Sequence, residues 1–156
     1  MLQVDIRGFG SVTLQHLVSD FTGTLSVGGK LLAGVKERLT QLAESLELTI
    51  LTADTFGVVK QELNGINCSV HILSGSSHDI QKEKYIRELG QETIVALGNG
   101  NNDRLMLKAA KIGIAVLEGE GCAVDAVMAA NIQVSRAVDA LDLLLHPKRL
   151  KATLRF

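Results

Sequence analysis

The chain has 156 residues, 46% hydrophobic and only 3% aromatic, with 16 Lys and Arg against 17 Asp and Glu for a formal charge of −1. That length fits one domain over residues 1–156 with an aliphatic core, and the near-balanced charge excludes a general attraction to nucleic acid or to an anionic membrane surface. No apolar run approaches the roughly 20 residues of a membrane span, residues 1–5 lack the basic and apolar stretches of a secretory signal, and Cys68 and Cys122 are too far apart for a metal spacing, so two buried free thiols in a cytoplasmic setting are expected.

In chain order, Leu2–Ile6 and 12–18 alternate apolar and polar residues and predict two strands joined at Gly8-Phe9-Gly10. Leu32, Val35, Leu39, Leu42 and Leu46 recur at helical spacing and predict an amphipathic helix over 31–46. A short buried strand at 48–51 and a helix over 58–63 follow. Asp54 can serve as helix N-cap ahead of 55–63 or help to order a site beside Thr52. Segment 70–73 reads as extended, 79–89 as a charged amphipathic helix and 93–97 as an apolar strand. A helix over 103–110, a strand at Ile112–Val116, a helix over 123–130 and a closing helix complete the pattern. Met106 and Met128 read as core. Lys148, Arg149, Lys151 and Arg155 read as a solvated last helix with cations at its favourable end. His16, His71, His78 and His146 share no ligand spacing and read as packing or surface residues.

Strand–helix alternation of this kind predicts a mostly parallel sheet covered on both faces, a three-layer α/β/α Rossmann-like sandwich behind an N-terminal β-hairpin. Ligands of such sheets lie outside the carboxyl ends of the strands. Three predicted strand ends carry polar sequences: Ser19-Asp20-Phe21-Thr22-Gly23-Thr24, Thr52-Ala53-Asp54-Thr55 and Gly98-Asn99-Gly100-Asn101-Asn102-Asp103. A carboxylate at the end of a strand, followed by a turn whose glycine lets backbone N–H groups approach an anion, is suited to phosphate chemistry. The same residue types also make ordinary turns.

Taken together, Asp20-Phe21-Thr22-Gly23-Thr24-Leu25, Leu51-Thr52-Ala53-Asp54 and Gly98-Asn99-Gly100-Asn101-Asn102-Asp103 resemble, in order and spacing, the motifs of the haloacid dehalogenase-like superfamily. The nearest likeness is to its capless, soluble P-type ATPase-like phosphatases, with Phe21 where that pattern has lysine and Ala53 where it has glycine. The resemblance implies a magnesium-dependent phosphohydrolase or phosphotransferase in which Asp20 becomes an aspartyl-phosphate. It implies catalytic roles for Asp20, Thr22, Thr52 and Lys82, and phosphate contacts at Thr52, Ala53, Lys82 and Asn102. Lys82 is selected over Lys84 because Leu89 then falls about seven residues on. It implies Mg²⁺ held by Asp20, the Thr22 carbonyl, Asn99 and Asp103.

Two departures bear on activity. Asn99 replaces an aspartate and removes one charge from the metal set. Thr22 stands where ordinary phosphatases of the superfamily carry an acid–base aspartate, so turnover on simple esters should be slow. The gaps between the motifs leave no room for a cap domain. The substrate is then a phosphorylated small molecule or macromolecule, with no nucleic acid and no membrane insertion, and a second copy of the chain could cover the open site. A catalytically weak phosphate-binding regulatory module is the alternative. A dinucleotide binder using residues 98–103 ranks last, since the third glycine of that fingerprint is missing.

Overall fold

The computed structural model describes residues 1–54 and 56–156. Its elements are β1 (Leu2–Ile6), β2 (Gly10–Leu14), β3 (His16–Ser19), β4 (Ser26–Val27), β5 (Lys30–Leu31), α1 (Val35–Leu42), β6 (Glu47–Thr52), α2 (Val59–Glu62), β7 (Ser69–Ile72), α3 (His78–Leu89), β8 (Ile94–Gly98), α4 (Arg104–Ala109), β9 (Ile112–Val116), α5 (Val124–Ala129), β10 (Ile132–Val134), α6 (Ala137–Leu145) and α7 (Pro147–Leu154).

Six of the strands form one sheet in the order β10-β9-β8-β3-β6-β7, with every neighbouring pair parallel. The apolar runs are continuous because both faces are covered. Val95, Leu97, Ile112 and Ile114 pack with α1 and α6 residues such as Leu39 and Leu141, whereas Ile94 and Ala96 pack with Ile86, Met106 and Ala126 of α3, α4 and α5. The predicted sandwich is the observed one. The chain runs from β3 outward to β6 and β7, then returns to β8 and continues outward through β9 and β10, so the order reverses between β3 and β8.

Several boundaries depart from the sequence reading. The expected strand over 12–18 is two strands in different sheets. At Gln15 the N–H bonds the Thr93 carbonyl (2.8 Å) and the carbonyl accepts from Glu47 N–H (2.9 Å), which carries the chain from its antiparallel partner β1 to the parallel partners β6 and β8. The helix expected over 31–46 begins only at Val35. Leu31 belongs instead to a small antiparallel hairpin, β4–β5, turning at Gly28-Gly29, where Leu31 and Leu32 still reach the core. β10 was not anticipated, and the closing helix is two, divided at Pro147 in the first helical position, where its missing N–H is harmless. Met106 is core, but Met128 is 79% exposed on α5, and the thiols of Cys68 and Cys122 are half-buried rather than buried. The expected helix over 58–63 is observed as Val59–Glu62. Thr55, included in the capped segment considered above, lies outside the described residues. Among the described residues no helix is long and apolar enough to cross a membrane.

Candidate active site

The two strands flanking the order reversal deliver their C-terminal residues to one crevice. β3 ends at Ser19, and the next residue, Asp20, donates its N–H to the Leu97 carbonyl of β8 at 3.0 Å. The chain then winds around a single acceptor. The Phe21 carbonyl receives the N–H groups of Thr24, Leu25 and Ser26 (3.2, 3.0 and 3.1 Å) and the Ser26 hydroxyl (3.0 Å). Gly23 adopts φ +78 in this turn, and a Cβ there would fall 2.5 Å from Asn99 Nδ2. Only glycine permits both the backbone angle and the approach of Asn99. Phe21 is 1% exposed and packs in the core, so position 21 supplies packing where the resembled motif has a cation.

Lys82 enters from the middle of α3. It is wholly buried, and its Nζ donates to Asp20 Oδ1 (2.8 Å) and Asp103 Oδ1 (2.7 Å). Lys84 points outward, 71% exposed at its side chain, towards Glu88. Thr24 joins the other side of the cluster: its hydroxyl lies 3.2 Å from Asp20 Oδ2 and 3.1 Å from Asn99 Oδ1. Asn99 Nδ2 donates to the Gly121 carbonyl (3.0 Å), which turns the amide oxygen towards Asp20. Thr24 carries no role in the sequence reading. Its signal was the second threonine of Thr-Gly-Thr, four residues past the carboxylate.

Asp103 departs from the expected metal set. Oδ1 is taken by Lys82, Oδ2 accepts from the N–H groups of both Asn99 and Gly100 (2.9 Å each), and the residue is fully buried. A carboxylate so committed positions Lys82 and the 99–100 backbone and has little left for a cation. Gly98 makes this possible, since a Cβ there would lie 2.5 Å from Asp103 Cβ.

The remaining predicted residues sit around this cluster rather than within its hydrogen bonds. Thr52, 1% exposed at the end of β6, accepts from Asp54 N–H through Oγ1 (3.1 Å), so its own hydroxyl proton is free to donate elsewhere. Asp54 Oδ1 in turn accepts from Val58 and Val59 N–H, the capping role weighed from sequence. Thr22 is half-buried beside Ser26, while Ala53 and Asn102 are exposed at the rim. The β4–β5 hairpin is tied down beside the crevice by two glutamates: Glu120 Oε2 accepts from Gly28 N–H (3.1 Å) and Glu62 Oε2 from Leu31 N–H (2.8 Å).

Burial pushes the Asp20 carboxyl up to about 7, and the neighbouring Asp103 carboxylate adds to the rise, against the pull of Lys82. Burial opposes the charge on Lys82, but Asp20 and Asp103 outweigh it and hold the ammonium up at about 12. The site therefore keeps a permanent cation beside a carboxyl whose charge is costly without a further positive partner. Among the described residues no group of three or more His, Cys, Asp or Glu side chains is arranged around a metal. A cation here would draw on Asp20 together with amide and backbone oxygens. Asp20 Oδ2 and Asn99 Oδ1, both within reach of one hydroxyl, are hard donors of the kind magnesium takes while retaining several waters, and the residues fit such an ion.

No family model matches the chain. An uncharacterized protein of Methanocaldococcus jannaschii is 47% identical over 83 residues, covering 51% of this chain and 89% of that protein. A 3-deoxy-D-manno-octulosonate 8-phosphate phosphatase from Moraxella catarrhalis, solved with magnesium, phosphate and KDO, superposes with a TM-score of 0.69 at 15% identity, over 85% of this chain and 86% of that one. A HAD family hydrolase from Streptomyces avermitilis gives a TM-score of 0.64 at 19% identity, over 91% and 84%. The chain has the fold of the haloacid dehalogenase-like hydrolases. Its haloacid dehalogenase-like fold also matches part of a zinc-transporting PIB-type ATPase in the E2·Pi state, with a TM-score of 0.59 at 26% identity. That match takes in 79% of this chain but only 20% of the transporter.

Proposed function

We propose that the chain is a phosphohydrolase or phosphotransferase that forms an aspartyl-phosphate on Asp20. The observation that carries this reading is the buried Lys82 bridge between Asp20 and Asp103, placed where β3 and β8 end at the order reversal of the sheet. A phosphoryl group needs an in-line nucleophile, neutralising charge and fixed donors. Asp20 supplies the nucleophile, and the Thr52 hydroxyl and Lys82 supply donors to the phosphoryl oxygens. Ala53 and Asn102, at the rim, are placed to offer backbone or amide donors to the same group. Asp103 holds Lys82 in position.

Mg²⁺ would be held by Asp20, the Thr22 carbonyl and Asn99 Oδ1, and when bound it would neutralise charge between the carboxylate and the incoming phosphate. The bound phosphatase neighbour, solved with magnesium and phosphate, supports that choice of ion, and the likeness to the P-type ATPase supports the branch. Thr22 cannot act as an acid near neutral pH, so both departure of a poor leaving group and hydrolysis of the aspartyl-phosphate are slow. The substrate is a phosphorylated small molecule or an exposed phosphoryl group on a macromolecule.

The test compares wild type with Asp20→Asn, with magnesium, on acetyl phosphate and p-nitrophenyl phosphate. Turnover or an acid-stable phosphoprotein is expected from wild type alone. Equal rates in both proteins would remove Asp20 from the chemistry. Tight phosphate binding without any covalent adduct would turn the reading towards a regulatory module.

A further inference from the structure

β7 is the last strand of the sheet: β6 lies on one side of it and, among the described residues, no strand lies on the other. Leu73, just past its end, donates its N–H to the Thr52 carbonyl of β6 at 2.8 Å. Backbone groups alternate in direction along a strand, so Ser69, His71 and Leu73 turn their N–H and C=O groups to β6. Val70 and Ile72 turn theirs to the open side. Among the described residues no turn or loop bonds to them there.

Native proteins guard a free edge with charge, proline or a bulge, because it is a template for pairing with another chain. This edge carries none of the three. Residues 63–78, which hold β7 and the turns on both sides of it, contain no Asp, Glu, Lys, Arg or Pro, in a chain that is 21% charged. β7 follows β6 residue for residue, without a bulge. Ile72 is 45% exposed, and Val70, on the same face of the strand, is only half-buried against the core.

We propose that the β7 edge is a dimer interface, at which the chain pairs antiparallel with β7 of a second copy of itself. The edge complements itself. A half-turn about an axis perpendicular to the sheet at His71 sets Val70 opposite Ile72 of the second copy, and Ile72 opposite its Val70. Both are hydrogen-bonded pairs, so every outward N–H and C=O of Val70 and Ile72 is matched, in four bonds. The side chains of the same residues meet as two apolar, β-branched pairs, the kind that stabilises a ladder. Charge complementarity selects the same occupant: an edge that meets its own copy meets its own charges, and residues 63–78 present none to repel. The contact is isologous, so it closes at two copies and leaves neither β7 open. Because the paired strands run in opposite directions, the two crevices open at opposite edges of the joined sheet, and neither copy covers the other's Asp20. The dimer forms whatever chemistry Asp20 performs.

Light scattering and sedimentation of wild type at about 100 μM, well above a micromolar Kd, should give twice the 16.7 kDa of one chain. Ile72→Pro removes one outward N–H from each copy and none of the bonds to β6, and Ile72→Lys sets a charge within the contact. Each should raise the dissociation constant at least about tenfold. Ile72→Lys, at an exposed position, carries the test should proline unfold the strand. Met128→Lys, at the exposed position on α5, should change the constant less than about twofold. Residues opposed in a non-hydrogen-bonded antiparallel pair have Cα atoms about 4.5 Å apart, within disulfide range. His71 meets itself in such a pair. His71→Cys, combined with Cys68→Ser and Cys122→Ser, should therefore cross-link two copies on oxidation, and Met128→Cys in the same background should not. A wild type that is monomeric at this concentration overturns the proposal. So does a dimer that keeps its affinity in both Ile72 variants, or one that His71→Cys fails to cross-link.

Discussion

Lys82 has no contact with water and two carboxylates within 2.8 Å. Removing one partner of a buried ion network leaves uncompensated charge, which costs about 3–5 kcal/mol. Lys82→Met should therefore lower stability by about that amount in denaturant unfolding at neutral pH, and Lys84→Met, at an exposed position, by less than about 0.5 kcal/mol. Asp20 gives the opposite kind of signal. Its carboxyl is raised in the fold to about 7, against about 3.9 in an unfolded chain. The folded state therefore holds the extra proton between these values. In metal-free protein its stabilising effect is complete below about pH 4 and is lost as pH rises through about 7, by at most 1.4 kcal/mol per pH unit. Melting curves in chelator across that window should show the decline, and Asp20→Asn should flatten it. Because a ligating carboxylate must be ionised, magnesium should stabilise the protein more at pH 8 than at pH 6, a shift readable in the same melts. Asp20 stood out in the sequence as a carboxylate at a predicted strand end, and Lys82 only through the resemblance and its spacing to Leu89. Thr24 and the full commitment of Asp103 did not stand out, since hydrogen-bond partners 75 and 21 residues away leave no mark on local pattern.

At the scale of elements, the 3.6-residue and two-residue periods located most helices and strands, and failed where partner rather than period changed. Residues 12–18 read as one strand, yet Gln15 moves the chain from one sheet to another. The β4–β5 hairpin was absorbed into a predicted helix because Leu31 and Leu32 are apolar in either arrangement. Packing between elements is close at Gly113 of β9, where a Cβ would lie 2.2 Å from the Leu107 carbonyl of α4. Gly113→Ala should force α4 outward, cost about 1–3 kcal/mol, and weaken phosphate binding through Asp103 at the head of that helix. Gly121→Ala is a useful control: no neighbouring atom lies near its added Cβ, and its strain comes from φ +82 alone. α1 and α6 are joined by Arg38 and Asp142, with Nε–Oδ1 at 2.7 Å, and the guanidinium holds the Asp142 carboxyl below its usual range. That contribution is present above about pH 4 and fades as pH falls further. Asp142→Asn should cost no more than about 1 kcal/mol in urea unfolding at pH 7, for a pair so near the surface.

For the whole molecule, alternation of strands and helices was enough to give a covered parallel sheet, and the rule that ligands lie beyond the carboxyl ends of strands was enough to give the crevice. The strand order itself was not written in the sequence, because each parallel crossover is equally compatible with either neighbour. That order has a consequence for biogenesis. β3 is completed by residue 19, but it becomes central only once β6 lies on one side and β8 on the other. A ribosome must pass residue 103 before Asp20 can meet both Lys82 and Asp103. Until then the nascent N-terminal third exposes the aliphatic flanks of an unpaired strand, the condition under which slow parallel topologies are prone to aggregate. The Asp20 carboxyl is thus the first part of the crevice to be synthesised and among the last to be enclosed.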